Sequence, residues 1–253
     1  VAKYILVEKK EERAIVFMNR VEKHNSFNLE MLKEFRKTLC ELREDADIRV
    51  LMITGSGEKS FSTGVDLSIL NDFDSTIEAR EFAIELESLM EEIFNFPKPT
   101  ISLVNGYAMG GGFGVALSSD IRVLSKNAKI GFPAVKVGAV FPTGCTMRLI
   151  SHIGLGRAKD LILTGRILSG EEAYRIGLGD YLVEQEKLFE KGNEIAEMIM
   201  EGTDLALRIQ KSVANNFYGT LIHMLSNLSA DSFAFLSTTP DWKRKIDEFV
   251  RKK

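Results

Sequence analysis

Two glycine-bearing segments stand out among residues whose type and spacing suit chemistry. In Val104-Asn105-Gly106-Tyr107-Ala108-Met109-Gly110-Gly111-Gly112-Phe113-Gly114-Val115-Ala116-Leu117 a strand-like run ends, three glycines follow and an apolar helix begins. Glycine lets other atoms approach the backbone, and the start of a helix leaves amide hydrogens unpaired. Together they can receive negative charge, although the same pattern also serves a tight strand–helix crossing with no ligand. The second segment is Ser60-Phe61-Ser62-Thr63-Gly64-Val65-Asp66-Leu67. Gly64 can hold a conformation that other residues avoid and so expose the amide of Val65. Asp66 reads as the cap of a following helix, and taken alone a capped helix start is the simpler meaning.

Several other chemistries lack their residues. A dinucleotide fingerprint counted from Gly110 finds Gly112 and then Val115 where its third glycine belongs. Gly55-Ser56-Gly57-Glu58-Lys59-Ser60 lacks the spacing of a phosphate loop. His24, His152 and His223 form no ligand spacing with Cys or carboxylates, and no serine stands in a G-x-S-x-G setting. The acidic stretch from Glu85 to Glu92 reads as a solvated helix face.

The glycine segments need elements to hold them. Residues 14–18, 50–54, 100–104 and 120–124 are β-branched or apolar runs punctuated by Gly, Asp or Pro, which predicts strands. Between them, residues 29–45 carry Leu32, Phe35, Leu39 and Leu42 at helical spacing. Residues 77–94 carry Phe82, Leu86, Leu89, Met90 and Ile93 in the same way, and Pro97 and Pro99 close that helix. Strands separated by helices of this length predict parallel pairing in an α/β core. Beyond Glu186 only helical patterns remain, at 188–200, 204–217, 221–236 and 242–250. The expected division is a core over 1–186 and a helical region over 187–253.

With 253 residues, 45% of them hydrophobic, the chain can bury a full core without staples. A formal net charge of −3 argues against a nucleic-acid partner. Cys40 and Cys145 are the only cysteines, which defines no disulfide framework and fits a reducing compartment. No run of 18 apolar residues predicts a membrane span. The first residues, VAKYILVEKKEER, lack the pattern of a secretion signal, so a cytoplasmic location is expected.

The longer pattern resembles a family. Arg20 to Ser26 (R-V-E-K-H-N-S), then S-F-S-T-G-V-D-L, then P-K-P-T-I-S-L-V-N-G-Y-A-M-G-G-G are similar to the crotonase superfamily of enoyl-CoA hydratases and isomerases. The likeness continues through Gly138 to Leu149, through L-T-G-R-I-L-S-G-E-E-A at 163–173, and to Glu248-Phe249-Val250-Arg251-Lys252. It implies an α/β fold, a spiral of repeated β-β-α turns followed by helices that build homotrimers or hexamers. It also implies an acyl-CoA substrate of fatty-acid metabolism, with no separate cofactor because coenzyme A belongs to the substrate. By that resemblance the amides of Val65 and Gly111 form an oxyanion hole for the thioester. The same resemblance assigns Lys23, Asn25, Ser62, Gly64, Asp66, Leu67, Gly110, Pro133 and Ala134 to the substrate and coenzyme A. It gives the last helix, with Phe249 and Lys252, a reach to coenzyme A on a neighbouring subunit; an exposed tail is the plainer reading of Lys252.

The chain departs from its relatives at the acid–base positions. The two glutamates that the hydratases use fall at Gly114 and Ala134, and a third acidic position falls at Pro142. Water addition needs a base for the water and an acid for the carbon, so ordinary hydration is not expected. Asp72 and Asp74 are candidates for a replacement acid. Decarboxylation of a malonyl-type thioester needs donors but no base. The family's decarboxylases, however, carry His and Tyr where Val65 and Phe141 stand here. A non-catalytic acyl-CoA binder is the alternative from another class.

Overall fold

The long apolar runs form strands, and the chain between them dictates how they pair. The computed structural model describes residues 4–71 and 75–250; residues 70, 71, 217–229, 249 and 250 are described by their backbone only. An antiparallel pair opens the chain, β1 (Ile5–Lys10) with β2 (Arg13–Met18), and α1 (Leu29–Glu44) follows. Then a unit recurs in which a strand of one sheet is followed at once by a short strand of a second sheet. β3 (Val50–Gly55) leads to β4 (Ser60–Ser62) and α2 (Thr76–Phe94). β5 (Thr100–Val104) leads to β6 (Tyr107–Met109) and α3 (Gly111–Ser118). β7 (Ile121–Ser125) leads to β8 (Lys129–Gly131) and α4 (Thr143–Thr164). After β9 (Ile167–Ser169), α5 (Gly170–Arg175) and β10 (Tyr181–Val183) the described chain is helical: α6 (Leu188–Met200), α7 (Asp204–Ser237) and α8 (Pro240–Val250).

The first sheet has the order β1-β2-β3-β5-β7-β10 and the second β4-β6-β8-β9. From β2 to β10 the first sheet is parallel, as helical crossovers require. Side chains alternate across it. On β3, Leu51 and Ile53 enter the main core with Phe27, Phe35, Leu89 and Phe113, whereas Val50 and Met52 pack under Ile195 and Ala196 of α6. Both faces are covered, so β3 is buried along its whole length.

One expected break is absent. The helices expected at 204–217 and 221–236 are a single helix, α7, which runs through Gly219. A glycine inside a helix costs about 1 kcal/mol and ends it only by turning left-handed there. The opposite occurs in α4, where Gly154 adopts φ 77° and ψ 158° and breaks the helix.

Candidate active site

The repeated unit brings the ends of its short strands together, and both glycine segments meet there. Gly64 has φ +84°, and a Cβ placed on it would lie 2.7 Å from the amide nitrogen of Gly111 and 2.6 Å from the carbonyl oxygen of Met109. Only glycine permits so close an approach. The amide of Phe27 donates to the Gly64 carbonyl at 2.7 Å, and the amide of Asp66 donates to the Phe27 carbonyl at 2.9 Å. This parallel bridge uses the groups on either side of Val65, so the amide of Val65 faces away from Phe27. Gly111 is the first residue of α3, and helical bonding begins only where the amide of Gly114 donates to the carbonyl of Gly110. Among the described residues neither the Val65 nor the Gly111 amide donates a hydrogen bond.

Both residues line a cavity of about 1330 Å³. Its inner wall is apolar, built from Phe82, Ala83 and Leu86 of α2 and from Phe132. Phe141 stacks behind it, 4.1 Å from the Phe132 ring and 5.7 Å from the Phe113 ring between centroids. Exposed Glu22, Lys23, His24, Lys136 and Glu248 line the mouth, together with half-buried Lys245. Helix α8 folds over the cavity of its own chain: Trp242 and Ile246 are buried against Val65, Leu67, Val137 and Ala139. In the described part of this last helix Lys245 and Glu248 line the cavity of their own chain.

Val65, Asp66, Leu67, Gly110, Gly111, Lys23, Pro133 and Ala134 all line this cavity. Asp66 is buried, which alone would raise its pKa. Hydrogen bonds from the Ser68 hydroxyl (2.7 Å) and Arg20 (2.7 Å), with the Arg20 charge, outweigh burial and hold it below the usual Asp range. Asn25 and Ser62, expected beside the ligand, instead face inward and do not line the cavity. The Asn25 side chain donates to the carbonyls of Ser56 and Ser60 and accepts from the amide of Arg20. The Ser62 hydroxyl donates to the Asn25 carbonyl and accepts from the amide of Gly64. These two residues and Gly64 shape the turn that presents Val65. The side chain of Phe249, and Lys252, Asp72 and Asp74 entirely, lie outside the described residues.

The place of Gly114 is closed. A Cβ there would sit 2.5 Å from the Met90 Cε, 2.7 Å from its Sδ and 3.1 Å from the Cys145 Sγ. The Cys145 thiol donates to the Met90 sulfur at 3.2 Å. Burial pushes the pKa of that thiol up to about 12; Arg148 opposes, and the charges of Glu91 and Glu87 add to the rise. Ala134 and Pro142 line the cavity without a titratable group.

The sequence reading missed Glu87, Lys136 and Lys245, which all line the cavity. The acidic stretch of α2 is not a solvated face: Arg36 holds Glu85 and Glu92, Arg148 of α4 holds Glu91, and Glu87 faces the cavity half-buried. A helical-wheel position was the available signal, since Glu87 follows Leu86 and lies one turn from Ala83 and Met90 on the buried stripe.

A sequence model of enoyl-CoA hydratase/isomerase proteins matches residues 8–253. The chain belongs to the enoyl-CoA hydratase/isomerase family. Within that family it is 35% identical to the crotonyl-CoA hydratase of Syntrophomonas wolfei over 98% of this chain and 95% of that protein. It is 34% identical to the short-chain-enoyl-CoA hydratase of Clostridium acetobutylicum over the same shares. Among solved structures, the enoyl-CoA hydratase from Bacillus anthracis superposes with a TM-score of 0.82 at 32% identity, covering 99% of this chain and 97% of that one. The β-β-α spiral described above is the crotonase fold of this family.

Proposed function

We propose that this enzyme binds a short-chain acyl-CoA thioester and polarises its carbonyl between the amides of Val65 and Gly111. The observation that supports the reading is the close packing of Gly64 on the Gly111 nitrogen at the wall of one cavity, with the Val65 and Gly111 amides both unbonded among the described residues. Charge that develops on the thioester oxygen as a neighbouring carbon loses a proton or a substituent is held there by fixed dipoles. One such donor contributes about 3–4 kcal/mol to the transition state. Backbone donors do not titrate, so the hole keeps its strength across pH. Lys23, Lys136 and Lys245 at the mouth suit the phosphates of coenzyme A as point charges. The names of the curated relatives support a short acyl group.

The reaction we assign is not ordinary hydration, because Gly114 and Ala134 supply neither base nor acid and the slot at Gly114 holds two sulfurs. Decarboxylation of a malonyl-type thioester, which needs the two donors and no base, is the second reading, favoured by the absence of a titratable group at Gly114, Ala134 and Pro142. We place the protein in the cytoplasm on the strength of its two free cysteines; among the described residues no helix is long and apolar enough to cross a membrane. Exposed Leu205, Ile209 and Val213 share one face of α7 and support an assembling role for residues 187–253, as a homotrimer or hexamer.

The test is a panel of crotonyl-CoA, a 3-enoyl-CoA and methylmalonyl-CoA with products identified by mass, run on the wild type and on Gly111→Pro. Proline is tolerated at the first position of a helix and removes the donor. Turnover should fall about 10²–10³-fold with the circular dichroism spectrum unchanged. Undiminished turnover in the proline variant would defeat the amide assignment. Crotonyl-CoA hydration at ordinary hydratase rates would defeat the argument from the missing pair.

A further inference from the structure

We propose that Trp242 is a positioning residue for the oxyanion hole: its ring braces the Val65 side chain and so holds the Val65 amide on the thioester oxygen. The inference rests on the amide reading above, because aiming an amide matters only where that amide binds the ester. Trp242 is the chain's single tryptophan, and on α8 it is buried to 2% exposure. It stands outside the residues that line the cavity, so its effect on a ligand runs through its neighbours. Those neighbours lie on both banks of the cavity. Val65 and Leu67 follow the Gly64 turn, and Val137 and Ala139 follow Pro133 and Ala134.

Local sequence fixes the ring in this place. Thr239 precedes α8, and its hydroxyl accepts from the amide of Trp242 at 3.3 Å, as a helix cap does. Pro240 opens the helix, a position where proline costs no hydrogen bond. The Thr239 hydroxyl also donates to the Leu236 carbonyl at 2.8 Å, tying the start of α8 to the end of α7. Phe233 of α7 meets the indole edge to face, with centroids 5.2 Å apart and planes at 82°. On the far bank Gly138 turns left-handed at φ +80°, and a Cβ there would lie 3.6 Å from the Trp242 Cα and 3.7 Å from its Cε3. Two helices and the 133–139 segment thus meet at one ring.

Val65 is where this packing reaches the chemistry. The bridge to Phe27 bonds the Gly64 carbonyl and the Asp66 amide, on either side of Val65. The Val65 amide itself makes no bond among the described residues, so its direction depends on how the residue is held. The Val65 side chain is half-buried between the main core and the pair Trp242 and Ile246. Valine is stiff about χ1, so what packs on its methyl groups fixes its backbone. Removing the indole leaves one side of Val65 unsupported, next to a glycine that is free to turn. The Gly111 amide has no such dependence, since it is set by the start of α3. A group misplaced by about 1 Å at a reacting centre costs about 10²-fold in rate.

The experiment reads the polarisation itself. Butanoyl-CoA labelled with carbon-13 at its carbonyl is bound to wild type, Gly111→Pro, Trp242→Ala and Trp242→Phe. The isotope-edited infrared band of the thioester carbonyl is recorded for each, with the Kd and the unfolding temperature. In wild type the band should lie below its frequency in the free ester, and Gly111→Pro should lose that displacement. Trp242→Ala should lose more than half of it while still binding the ester, and kcat on any ester that turns over should fall about 10²-fold with KM little changed. Trp242→Phe, which keeps a ring against Val65, should recover part of both. A full wild-type displacement in Trp242→Ala would overturn the proposal and leave the amide reading intact. Joint loss of binding and thermal stability in Trp242→Ala, unrescued by Trp242→Phe, would assign the ring a structural role and overturn it equally. Failure of the amide reading looks different: Gly111→Pro would keep the whole displacement, or wild type would bind the ester with none, and this proposal would fall with it.

Discussion

At the scale of single residues, the chemistry of this site turns on what replaces a side chain. Gly114 is not an empty position awaiting a carboxylate, because the Met90 thioether and the Cys145 thiol already occupy the volume that its Cβ would need. Gly114→Glu is therefore expected to destabilise the fold by about 1–3 kcal/mol through overpacking and to gain no hydratase activity. Pairing it with Met90→Ala should relieve part of that cost; urea unfolding of the single and double variants measures both. That Gly114 lacks a carboxylate was plain in the sequence. The plug was not, since Met90 and Cys145 come from α2 and α4, 24 and 31 residues away on either side. Glu87 was hidden for a related reason: a charged residue among charged neighbours reads as surface until α4 and α7 close around α2.

At the scale of elements, the legible parts were those with enough length to show a period. The apolar spacing in α1, α2, α6 and α8 located each helix, and the four β-branched runs became β2, β3, β5 and β7. The second sheet was not legible because β4, β6, β8 and β9 are three residues each, and strands so short exist only through their pairing. A buried cation also ties two elements together unannounced. Lys98, lying between the two prolines before β5, is fully buried and donates to the carbonyls of Leu42 at 2.8 Å and Asp45 at 2.6 Å at the end of α1. Burial lowers its pKa, but it satisfies carbonyls that the helix leaves unpaired. Lys98→Met should lower stability by about 1–3 kcal/mol, read as a shift in the urea midpoint, with binding of butanoyl-CoA retained.

At the scale of the whole molecule, the helical region serves two ends. One is the assembly proposed above, for which the row Leu205, Ile209 and Val213 lies exposed on α7 at a spacing of four residues. Ile209→Glu should shift the sedimentation coefficient from that of the assembly toward that of a single chain; an unchanged coefficient would remove α7 from the contact. The other is closure, for α8 returns to cover Val65 and Leu67. Val65, Gly111 and Lys245 line one cavity within a single chain. Mixed particles assembled from a chain carrying Gly64→Val, which disturbs the turn that presents Val65, and a chain carrying Gly111→Pro should consequently stay as inert as their parents, with no rescue by complementation between neighbours.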